Sequence, residues 1–166
     1  MEIRFRESGQ VMYWNEFREY LLAQNPSELI TVAEQGQEWC DAHGADIVLE
    51  GPQATGGTHY QYSMRSGVEE IDGKWYTKYI LGPVFTDGET TAVEQEAAYR
   101  AMKDAEQAKS VRTTRDEKLK ATDWTQVADA PVDKTVWATY RQALRDLPSA
   151  TGFPWSMEWP TEPTGA

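Results

Sequence analysis

The residues able to do chemistry are few. One cysteine, Cys40, and two histidines, His43 and His59, make up the chain's stock of thiol and imidazole. Cys40 and His43 stand three positions apart, so on a helix they would share a face, and an imidazole beside a thiol favours the reactive thiolate. A working nucleophile also needs a third group to orient its base. None is evident nearby and such pairs arise by chance, so the spacing is better read as a part-buried cysteine beside a surface histidine. One Cys and two His so dispersed match no tetrahedral ligand spacing for zinc. The run Gly51-Pro52-Gln53-Ala54-Thr55-Gly56-Gly57 lacks the Gly-Lys-Ser/Thr ending of a phosphate loop. Glu69 and Glu70 are adjacent; in a strand they would point to opposite faces and could not share a proton. The sequence therefore offers no catalytic, cofactor-binding or metal-binding set. The expectation is a protein that is not an enzyme and needs no cofactor, with an enzyme using Cys40 and His43 as the alternative.

Composition bounds what remains. With 166 residues, 40% of them hydrophobic, the chain can bury one substantial core and perhaps an appended element, but not two large domains. Seven Trp and eight Tyr are too many aromatics for a disordered chain. The balance of 16 basic against 27 acidic residues gives a formal charge of −11. Such a charge repels phosphate backbones and anionic lipid, so neither nucleic acid nor membrane is expected as a partner. A single cysteine makes no internal disulfide, which suits a reducing cytoplasm. No run approaches the ~20 apolar residues that span a bilayer, and the first ten residues lack the apolar centre of a signal peptide.

Patterning predicts an α+β fold. Alternation over 2–13 around Ser8-Gly9 reads as a hairpin. Phe17, Tyr20 and Leu21, followed by Asn25-Pro26, give a short amphipathic helix. Ser27 with Leu29, Ile30 and Val32 could open a second helix, punctuated by Gly36 and Gly44. After the turn-rich loop at 51–57, three antiparallel strands are expected at about 60–65, 68–71 and 74–81. They would be joined at Arg65-Ser66-Gly67 and at Asp72-Gly73, the latter a type I′ signal. Tyr60, Tyr62, Trp75, Tyr76 and Tyr79 would lie on this sheet as a binding face or as core.

Thr91-Ala92-Val93-Glu94 is a capping box, and the stretch to about 121 holds no Gly or Pro, so a long helix follows. Val93, Ala97, Tyr99–Ala101, Met102, Ala105 and Ala108 mark its apolar stripe, mostly small side chains that bury little area. Lys109, Arg112, Arg115, Lys118 and Lys120 make its far end basic. This is either a docking patch for an acidic partner or a complement to the helix dipole. A second helix over 133–146 carries Val136, Trp137, Tyr140 and Leu144, and the two are expected to form a hairpin. The tail beyond Pro148 interleaves Phe153, Trp155 and Trp159 with Pro154, Pro160 and Pro163; it cannot be helical. The expected domains are a β-rich module at 1–85 and a helical hairpin with an aromatic, Pro-rich tail at 86–166.

The ordered set Arg115-Asp116-Glu117-Lys118-Leu119, Asp123-Trp124-Thr125-Gln126, Asp129-Ala130-Pro131, Trp137, the run from Tyr140 to Asp146, Pro148, Gly152-Phe153-Pro154-Trp155 and Trp159-Pro160 resembles the phage tail assembly chaperone family over about 112–163. The first 90 residues depart from a minimal chaperone of this kind and resemble β-rich accessory regions of small marine-phage tail-fibre proteins. The resemblance implies a non-enzymatic phage protein that binds tail or tail-fibre subunits. It would act either as a stable virion tail-fibre or baseplate component or as an assembly helper. The alternative within that class is a transient chaperone absent from the particle. Action in the host cytoplasm during assembly is implied, with the virion tail as the destination of a retained copy. A trimeric fibre partner would make a homotrimer natural. Trp124, Trp137, Tyr140, Phe153, Trp155 and Trp159 are the residues expected to bind the partner or to lock the hairpin and fold the tail over it.

Overall fold

A computed structural model describes residues 1–27 and 36–164 and divides into two compact units, Met1–Val84 and Phe85–Ala166. In the first, β1 (Glu2–Phe5) and β2 (Val11–Tyr13) form the expected hairpin. Gly9, at φ 71°, turns the chain, and the Phe5 and Gly9 amides donate to the Gln10 and Phe5 carbonyls at 2.8 Å each. Helix α1 (Trp14–Gln24) follows directly, its start held by the Glu16 carboxylate accepting from the Tyr13 amide at 2.8 Å. The helix expected from Ser27 would need Leu29, Ile30 and Val32, which lie outside the described residues. A short helix α2 (Gln37–Ala42) stands between Gly36 and Gly44.

Strand β3 (Ala45–Leu49) pairs antiparallel with β1, and the sequence reading did not include it. Its side chains are part-buried on both faces, so the alternation that marks a half-solvated strand is weak. The 60–81 region holds two strands rather than three. β4 (Tyr62–Ile71) runs unbroken through Arg65-Ser66-Gly67, where a register shift marks a bulge and Gly67 adopts φ 82°. A glycine inside alternating residues signals a bulge as readily as a turn. Asp72 and Gly73, at φ 50° and 74°, make the predicted turn into β5 (Lys74–Gly82).

The sheet order is β2-β1-β3-β5-β4. All neighbours are antiparallel except β3 and β5, which run parallel through Val48 opposite Trp75 and Leu49 opposite Tyr76. That pairing requires the chain to leave β3 and return from the far side. The connecting loop is fastened on the way: the Ala54 amide donates to Ser63 Oγ at 2.9 Å, and the Tyr79 hydroxyl donates to Glu50 at 2.6 Å. Gly51 is required there, because a Cβ would lie 2.0 Å from the Thr77 carbonyl oxygen. The core of this unit is Ile3, Phe17, Cys40 and Ala45, packed by Trp14, Trp39, Phe5, Met12 and Ile47.

The second unit is built on α3 (Ala92–Ala121) and α4 (Lys134–Asp146), joined through a 3-10 turn at Asp123–Gln126. The capping box forms as read: Thr91 Oγ1 accepts from the Glu94 amide at 3.2 Å, and the Glu94 carboxylate accepts from the Thr91 amide at 2.9 Å. Those bonds to Thr91 hold the Glu94 carboxyl below its usual range. At α4, Asp133 caps the amides of Thr135 and Val136 at 2.9 and 3.2 Å. The stripe expected along α3 is buried only at its end. Ala108 and Val111 are inside, whereas Val93 is 76% and Met102 47% exposed. The tail and α4 reach α3 at Asp104 and beyond, where Trp155, Phe153 and the α4 core meet it.

Candidate functional site

Cys40 and His43 are not assembled as nucleophile and base. The Cys40 thiol is fully buried, and desolvation, with Asp41 and Asp46 nearby, pushes it up, away from the thiolate. The His43 ring stacks on Trp39 at 3.9 Å, and its Nδ1 donates to the Trp39 carbonyl at 2.8 Å. Among the described residues no cluster of His, Cys, Asp and Glu could hold a metal ion, and no helix is long and apolar enough to cross a membrane.

The six aromatic residues expected to bind a partner or lock the hairpin lie in the second unit and take three kinds of position. Trp137 and Tyr140 face inward from α4, forming a core with Leu144 and Leu147 against Leu119, Val132 and Met157. Their rings meet edge to face at 5.9 Å, the arrangement aromatic quadrupoles favour. Phe153 and Trp155 are half-buried where the tail lies along α3. The Arg112 guanidinium sits 5.3 Å from the Phe153 ring, and Trp155 Nε1 donates to Asp104 at 2.5 Å. Between them Pro154 is buried, and its carbonyl accepts from Gln107 Nε2 at 3.5 Å. Trp124 and Trp159 remain outward, 50% and 36% exposed. Trp124 lies 6.1 Å from Trp137, and Lys118 Nζ sits 6.0 Å from the Trp159 ring.

The basic end of α3 is thus largely engaged within its own unit. Arg112 and Lys118 meet tail aromatics, and Arg115 pairs with Asp116 at 2.6 Å.

Sequence reasoning missed the polar lock of this hairpin. Arg141 is 6% exposed and donates through Nη1 to the Leu119 carbonyl at 2.5 Å and to Thr122 Oγ1 at 2.8 Å. Its Nη2 donates to Asp123 at 2.6 Å. These acceptors sit at the exit of α3, where carbonyls lack helical donors, so one guanidinium ties off α3 and fixes α4 beside it. The signal was present: Arg141 falls four positions after Trp137 and one after Tyr140, inside the apolar stripe where a charge demands partners.

The unit therefore carries two outward tryptophans over a packed aromatic core. Comparison of the chain with curated proteins and with solved structures gives no match. Residues 108–164, which span the end of α3, α4 and the docked tail, match the family of phage tail assembly chaperone proteins.

Proposed function

We propose that this chain works by non-covalent contact, binding a tail or tail-fibre polypeptide while a phage tail is assembled in the host cytoplasm. The observation that carries the reading is coincidence. The family match at 108–164 falls on the Trp137, Tyr140, Leu144 and Leu147 core with its docked tail. A rigid scaffold with aromatic side chains at its surface is what recognition requires. Trp124 and Trp159, the exposed pair, are the proposed contact residues; Trp137, Tyr140, Phe153 and Trp155 lock the hairpin that presents them. No bond-breaking step is needed, and the engaged His43 and buried Cys40 support a role without catalysis.

The test is co-expression of the full chain with each tail and tail-fibre protein of its phage, followed by capture. Co-purification that Trp124→Ala and Trp159→Ala together abolish is expected. Normal tails formed in the absence of this chain, with no co-purifying tail protein, would overturn the reading. Quantitative mass spectrometry of purified particles then assigns the lifetime of the contact. A fixed copy number makes the chain a tail component, and absence from particles makes it a transient chaperone.

A further inference from the structure

The tail leaves one flank of α4 open. Thr135, Val136, Thr139 and Ala143 face Pro160 and Pro163 across a cavity of about 380 Å³, within the range of ligand-binding clefts. A second cavity continues from it past Ala143 and Pro160 to Asp146 and Glu158. Tyr140 also lines the first cavity. That residue is 4% exposed, and its hydroxyl is buried without a hydrogen-bond partner. Buried hydroxyls are nearly always bonded, so this orphan one marks a spot beside the groove where packing against α4 is left incomplete. The rim supplies a second, independent observation. Glu158 and Asp146 border the groove, and Glu162 lies near enough to Tyr140 to act on it electrostatically. None of the three belongs to an ion pair among the described residues. The groove is apolar inside and negative at its edge.

We propose that this groove receives a polypeptide segment of the tail partner in which lysine or arginine flanks apolar side chains. The assignment rests on the tail-assembly reading and names the chemistry of the partner. The apolar side chains enter between Val136, Ala143 and Pro163, and the cations meet Glu158, Glu162 and Asp146. A segment lacking the cations gains the apolar contact but meets an unanswered negative rim, so charge sets both the encounter rate and the choice of partner. Nucleic acid is repelled by the same carboxylates.

The experiment uses the full-length chain and a pair of labelled synthetic peptides of identical leucine, valine and alanine content. One carries lysines, and the other carries glutamates at the same positions. Fluorescence anisotropy is expected to show binding of the lysine peptide alone, weakened by salt. Ala143→Arg blocks the groove with a like charge, and Glu158→Lys with Glu162→Lys reverses the rim. Each change is at an exposed position and is expected to weaken binding about tenfold or more with the thermal melt unchanged. Tyr140→Phe keeps the ring and removes the orphan hydroxyl, so it should raise the melting temperature of the free chain with peptide binding retained. Equal binding of both peptides, or full binding by Ala143→Arg, overturns the assignment. So does a dimer of this chain that Ala143→Arg dissolves, because the occupant would then be a second copy. Phage assembly separates this failure from that of the broader reading. If tails require the chain yet Ala143→Arg supports them fully, only the groove is wrong; if tails form without the chain, the assembly role itself is wrong.

Discussion

Trp137 and Trp124 touch, yet their substitutions should differ widely. Trp137 is 7% exposed and central to its core, so Trp137→Ala is expected to cost about 3–5 kcal/mol, read as a lower melting temperature for the helical signal. Trp124 is half exposed, and Trp124→Ala should cost well under that. Arg141→Ala leaves the Leu119 carbonyl and Thr122 hydroxyl without their donor; a loss of about 1–3 kcal/mol follows in a denaturant titration. Arg141→Lys should recover little, because an ammonium cannot reach three acceptors with the guanidinium fork. The raised, buried Cys40 thiol should resist iodoacetamide in the folded protein and react promptly in denaturant. At this scale the sequence was informative about residue type and poor about direction. The period of α4 placed Trp137 and Tyr140 on one face. Nothing local showed that Phe153 and Trp155 dock while Trp159 stays part open, because that depends on Arg112, Asp104 and Gln107, some 40 to 50 positions earlier.

Elements with local signals were legible. The capping box fixed the start of α3, and Asp72-Gly73 fixed the β4–β5 turn, because each is decided by neighbours in sequence. Thr91→Ala should raise amide hydrogen exchange in the first turn of α3. Acid should do likewise: Glu94 is held below its ordinary range, so its contribution is present above that range and lost as pH falls through its folded value. β3 and the bulge were not legible, since both are settled by pairing with distant strands. At the bulge, Gly67→Val meets no neighbour but must adopt φ near 82°, costing about 1–2 kcal/mol. Gly51→Ala is the contrasting case. Its obstacle is the Thr77 carbonyl rather than backbone strain, so the loop or β5 must move, and the melt of the sheet unit should fall.

Across the whole molecule, each unit has a core of its own. We propose that they fold independently: residues 1–84 and 85–166 expressed apart should each melt cooperatively, and Trp137→Ala in the full chain should leave the sheet signal intact. The sheet unit carries a further consequence in its strand order. β5, the last strand to leave the ribosome, occupies the slot between β3 and β4. Until Lys74–Gly82 emerges, β3 has no neighbour on that side and β4 has none at all. At about 5–20 residues per second, the nascent chain displays the bare edge of β3 for on the order of a few seconds. Synonymous codons that slow translation over 50–82 should therefore lengthen that interval and increase aggregation during synthesis, leaving the finished protein no less stable.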